Sequence, residues 1–182
     1  MPTAITEEMK YAVKPSNGIP TLMNYVGGKW VESRTKDYLP VMNPSIGQQI
    51  AAVPLSVAQD VDDAARSAKA AFTMWSSTPI KERVQVFFRY KMLMEKHVQS
   101  LAALVHEENG KTMSEATAEV EKAIEVTEFA CSMPQLIAGE ILEVSKGVEC
   151  RIDRFPVGVV ASITPFNFPY MEQKRRVPDR AD

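Results

Sequence analysis

Residues 157–163, Val-Gly-Val-Val-Ala-Ser-Ile, run the length of a strand with no charge and no alternation. Alternation marks a strand with one wet face. A continuous apolar run marks one covered on both faces, which requires a parallel sheet and crossover helices. The run therefore predicts an α/β fold. It ends in Thr164-Pro165-Phe166-Asn167-Phe168-Pro169. The prolines fix the backbone on either side of the amide. In open α/β sheets, ligands bind at the carboxyl ends of the strands, where Asn167 falls. The residues alone leave two readings open: an ordinary turn with asparagine in a favoured place, or an amide aimed at a ligand. The parallel neighbours of such a strand are expected later in the chain. After Pro169, however, the sequence turns charged and loses all periodicity.

The chain before this run divides into strand-rich and helix-rich stretches. Gly27-Gly28 between short apolar arms predicts a hairpin. Asn43-Pro44 opens a turn that Gly47 closes, and a strand follows to Val53. Ser56-Val57-Ala58-Gln59 has the pattern of a capping box. Behind it, Val57, Val61, Ala64, Ala65, Ala68, Phe72 and Trp75 form one apolar stripe at helical spacing. Thr78-Pro79 predicts the start of a second helix, with Thr78 as cap and Ile80, Val84, Phe87, Phe88 and Met92 buried. A third helix stops at Gly110, and a fourth runs from Ser114 to just before Pro134. Residues 140–155 return to two alternating arms separated by Lys146-Gly147, a half-exposed hairpin.

Composition narrows the function classes. A net charge of −2 implies no nucleic-acid or membrane partner. No apolar run reaches the length of a membrane span. The acidic amino terminus lacks an apolar signal core. Two cysteines, Cys131 and Cys150, give no disulfide framework. These features predict a cytoplasmic protein. His97 and His106 stand alone among charged neighbours, so no metal site is expected.

The stretch "VGVVASITPFNFP" resembles the strand and turn of the cofactor-binding domain in the NAD(P)-dependent aldehyde dehydrogenase superfamily. "YVGGKWVES", "NPSIGQQIAAVP", "LAALVHEENGKT" and "FPVGVV" are similar to that family in order and spacing, over roughly residues 21–169. Phenylalanine in Pro-Phe-Asn-Phe-Pro, with "EFACSMPQLIAGE", looks most like the methylmalonate-semialdehyde dehydrogenase branch, which forms acyl-CoA. The resemblance implies NAD as cofactor, CoA as co-substrate and a small aldehyde or semialdehyde as substrate. Asn167 matches the asparagine that donates to the oxyanion. Thr164 and Phe166 match positions lining the NAD site, and Phe168 one near the aldehyde passage. Lys122 falls where that branch tends to carry an arginine for the substrate carboxylate. Lysine keeps the charge and loses the bidentate fork.

The resemblance also implies an organisation: an amino-terminal extension over 1–20, the first part of the cofactor-binding domain over 21–135, and an oligomerisation-arm hairpin over 140–155. The strand and turn of the cofactor domain follow over 156–169, then an unrelated tail over 170–182. No residue matches the family's cysteine nucleophile or glutamate base, so the catalytic domain is read as absent and the chain as an incomplete, inactive piece of such an enzyme. Two alternatives stand beside the acylating parent. One is a non-acylating aldehyde dehydrogenase for another charged aldehyde. The other is a silent fragment that forms homo-oligomers or binds full-length relatives.

Overall fold

A computed structural model describes residues 13–172 apart from Asn17. Residues 1–12 of the expected extension and 173–182 of the expected tail lie outside the described residues. The chain forms two compact units. One comprises the residues up to Phe72 together with Gln99–Thr117, and the other Thr73–Val98 together with the residues from Ala118 onward.

The first unit is built on strands. β1 (Val13–Ser16), β2 (Ile19–Leu22), β5 (Tyr38–Asn43) and β6 (Gln48–Pro54) form one sheet in the order β1-β2-β6-β5. β2 and β6 run parallel, and the outer pairs run antiparallel. β3 (Asn24–Val26) and β4 (Lys29–Val31) make the hairpin expected from Gly27-Gly28. Both glycines have positive φ, 60° and 77°, as the mirror-image turn of a two-residue hairpin requires. The turn between β5 and β6 is also local chemistry: Asn43 Oδ1 accepts from the Ser45 N–H at 3.0 Å, and the Asn43 carbonyl accepts from Gly47 at 2.9 Å.

Helix α1 (Ala58–Trp75) begins differently from its expected cap. The Ser56 hydroxyl bonds to the Asn24 side chain instead, and Gln59 reaches Asp63. A partner brought from β3 outcompetes the local capping box. Asp60 takes over. Buried, it accepts from Ser33 Oγ at 2.6 Å, Arg34 Nη1 at 2.8 Å and the Val57 N–H at 3.2 Å. One carboxylate thus ties the loop after β4 to the first turn of α1. The apolar stripe on α1 is largely exposed: Val57, Val61, Ala65, Ala68 and Trp75 are exposed, and Ala64 and Phe72 are half-buried.

The Asp60 carboxyl is held below its ordinary value, chiefly by the Ser33 hydroxyl bond, against the opposing effect of burial. A depressed carboxyl stabilises the fold fully above its unfolded pKa of about 4. That contribution is lost as the pH falls through the lowered folded value. Asp60→Asn is expected to lower the melting temperature near neutral pH and to shrink the parent's further loss on acidification below about pH 4. Thermal melts of both chains across this range check it. Equal acid sensitivity in the two would refute the role given to Asp60.

Within the first unit, α3 (Val98–Asn109) ends at Gly110 as its sequence predicts, with φ +80° there and the Gly110 N–H on the His106 carbonyl at 3.0 Å. Helix α4 (Met113–Ala130) starts on a capping box that lies two residues before the expected Ser114. Thr112 Oγ1 accepts from the Glu115 N–H at 3.3 Å, and Glu115 Oε2 accepts from the Thr112 N–H at 2.9 Å.

The second unit holds α2 (Ile80–Lys96), most of α4, α5 (Met133–Leu136) and the hairpin of β7 (Glu140–Ser145) and β8 (Val148–Ile152). Thr78 does not cap α2. Its hydroxyl donates to the Met74 carbonyl at 3.0 Å, and Pro79 occupies the cap position. The free carbonyls ending α1 are closer at hand than the N–H groups ahead. Val84 and Met94 of α2 are buried with Val120, Ala123, Ile124, Thr127 and Ala130 of α4. Thr127 Oγ1 lies 3.6 Å from Met94 Sδ in that core. Of the other expected core residues of α2, Ile80 and Phe87 are half-buried, and Phe88 and Met92 are exposed. The hairpin is exposed on both faces rather than one.

Residues 157–163 are not paired into any sheet among the described residues. A strand exists through its ladder, and the described residues give this run no neighbour. Val157 is 82% and Ile163 89% exposed. No helix among the described residues is long and apolar enough to cross a membrane.

Candidate functional site

The turn at Pro165–Pro169 lies in the second unit. Thr164 is half-buried, while Phe166, Asn167 and Phe168 are exposed, Phe166 to 88%. Both aromatics leave ring surface exposed. They present flat apolar faces on either side of an amide. A ring face of this kind is the surface on which another aromatic system stacks. Thr164 adds a hydroxyl two residues before Phe166. These residues fit one wall of a dinucleotide site. They do not fit a phosphate cradle, since no cation stands among them.

What holds the turn lies outside the sequence motif. Glu119 on α4 is 4% exposed. Its Oε1 accepts the Tyr170 N–H at 2.8 Å and the Met171 N–H at 3.1 Å. The Phe168 carbonyl accepts from the Glu172 N–H at 3.2 Å. Tyr170 is anchored through its side chain as well: burial, and then the neighbouring Tyr90 of α2, push its phenol far above the ordinary value. Glu119 was not among the sequence candidates. Its signal is its place: it keeps step with Ala116, Val120, Ala123 and Thr127 on the buried side of α4, whereas Glu121, Glu125 and Glu128 face solvent.

Lys122 is also on α4 but points outward, 59% exposed, with its ammonium 2.5 Å from Glu125 Oε2. The ammonium is already engaged by a carboxylate of its own helix. The two thiols are no better placed for chemistry. Cys131 donates to the Thr127 carbonyl at 3.4 Å, and burial pushes its thiol up, away from the reactive thiolate. Cys150 is exposed on β8. Among the described residues, no His, Cys, Asp and Glu cluster could hold a metal ion. A cavity of 270 Å³ in the first unit is lined by Asn24, Glu32, Arg34, Asp60 and Asp63, among others. None of the expected site residues lines it.

With this fold and this turn, the chain belongs to the aldehyde dehydrogenase family, which it matches over residues 30–178. Among its relatives is malonate-semialdehyde dehydrogenase 2 of Geobacillus kaustophilus, 45% identical over 157 residues, covering 86% of this chain and 32% of that protein. The solved methylmalonate-semialdehyde dehydrogenase of Oceanimonas doudoroffii superposes with a TM-score of 0.79 at 36% identity, covering 82% of this chain and 31% of the other. A Sinorhizobium meliloti 1021 protein solved in complex with NAD superposes with a TM-score of 0.82 at 32% identity, over 87% of this chain and 33% of the other. The chain therefore spans about a third of the length of the relatives it matches.

Proposed function

We propose that these residues serve an NAD-dependent oxidation of a small semialdehyde, with CoA as the acyl acceptor. The observation that carries the reading is the Asn167 amide, exposed on a turn that prolines and Glu119 hold in place. When an aldehyde carbonyl is attacked, negative charge develops on its oxygen. A donor fixed beforehand at that point stabilises the transition state more than the ground state. Asn167 is that donor. Phe166 and Thr164 form a wall against which NAD would lie, and bound NAD would supply the hydride acceptor. Phe168 flanks the approach of the aldehyde. Lys122 offers a positive charge for a substrate carboxylate once it leaves Glu125. Malonate-type relatives support a substrate that carries such a carboxylate.

The test is a chimera of residues 1–169 joined to the remaining two-thirds of the Geobacillus kaustophilus relative. Assayed with NAD and a panel of aldehydes, it should prefer a short semialdehyde carboxylate over an uncharged aldehyde of equal length, and should form a CoA thioester. An acid product at saturating CoA would turn the reading toward the non-acylating alternative, and preference for the uncharged aldehyde would contradict both.

A further inference from the structure

The hydrogen bonds around Pro169 describe a helix start capped from elsewhere in the chain. The bond from Glu172 N–H to the Phe168 carbonyl makes Phe168 the half-in residue before a helical turn. Pro169 then takes the first helical position, where its missing N–H costs nothing. Tyr170 and Met171 take the second and third, whose N–H groups have no carbonyl of their own helix to meet. A serine, threonine or aspartate at the cap ordinarily receives them. Phenylalanine has no acceptor. Glu119, 51 positions earlier, supplies one oxygen to both. A carboxylate there is favoured twice, as a charge-assisted acceptor and as an anion at the positive end of a helical turn.

This arrangement fixes the turn to α4. Asn167 immediately precedes the cap position Phe168, whose own backbone is restricted by the proline that follows it. We propose that Glu119 is the positioning residue for the Asn167 amide: it registers the Pro165–Pro169 turn against α4, so that the amide is preorganised. The purpose assigned to that amide rests on the reading given above, but the positioning itself is measured without any catalytic assay.

Hydrogen exchange read by mass spectrometry with residue-level fragmentation, at sub-micromolar protein, compares the parent chain with Glu119→Gln and Glu119→Ala. In Glu119→Ala, exchange at Tyr170 and Met171 is expected to rise at least about tenfold, the weight of a lost bond to a charged group. The Asn167 and Phe168 amides should accelerate with them, while α2 and the rest of α4 hold their protection. Glu119→Gln keeps an acceptor and loses the charge, so its rates should fall between parent and alanine variant. If Glu119→Ala loses protection throughout the unit, the glutamine variant decides: acceleration confined to residues 166–171 supports the proposal. Glutamine rates equal to the parent's, or alanine-variant rates that rise at Tyr170 and Met171 and leave Asn167 and Phe168 unmoved, would overturn it. These readouts do not depend on aldehyde oxidation, so a failure of the proposed function leaves them interpretable.

Discussion

Asn167→Ala, made in the active chimera, is expected to lower kcat by roughly 10²–10³ with little change in KM. A donor that meets the oxygen only as it gains charge contributes to the transition state and not to substrate binding. Asn167→Asp should fall at least as far, because a carboxylate repels the developing oxyanion. Neither change removes a packed side chain, as Asn167 is exposed, so melting temperature and NAD affinity should stay near the parent's. A variant with unchanged kcat would remove Asn167 from the chemistry. A variant with raised KM and unchanged kcat would make it a binding residue instead.

The 182-residue polypeptide by itself is expected to form no NADH from malonate semialdehyde, NAD and CoA. Covalent aldehyde oxidation needs a thiolate beside the oxyanion donor. Burial pushes the Cys131 thiol up, away from the thiolate, just past the end of α4, and Cys150 lies on an exposed hairpin strand. NAD affinity should also be poor, with a dissociation constant above about 10 μM, weaker than roughly 7 kcal/mol. One wall of exposed ring and hydroxyl does not enclose a ligand, and tight small-molecule sites bury most of the ligand surface. Titration calorimetry and absorbance at the reduced-cofactor band measure both. Turnover that survives further purification and disappears in Cys131→Ala would contradict this account and assign the chemistry to that thiol.

Local features of this fold were legible in the sequence because their partners sit within a few residues. The Gly27-Gly28 hairpin, the Asn43 turn and the Gly110 stop each close on themselves. The caps expected at Ser56 and Thr78 do not form, for the opposite reason. Asn24 reaches Ser56 from 32 positions away, and the end of α1 claims the Thr78 hydroxyl. Asp60 carries no local signal of its role, because its partners Ser33 and Arg34 lie 27 and 26 positions earlier in the chain. The run at 157–163 declared its apolar character but not its neighbours, and among the described residues it has no ladder to make it a strand. At the site, the two prolines made the turn legible, while the residues alone left the use of Asn167 open. For Glu119 the helical step of α4 signals burial, but its partners, Tyr170 and Met171, lie more than 50 positions away and leave no mark in the local pattern.

The most direct measurement of the central claim is a single turnover of the chimera carrying residues 1–169, mixed with malonate semialdehyde, NAD and CoA. The account predicts close to one NADH per site, formed at a rate within an order of magnitude of the Geobacillus kaustophilus enzyme's, and slowed by roughly 10²–10³ in Asn167→Ala. A chimera that folds, binds NAD and still forms no NADH would contradict it.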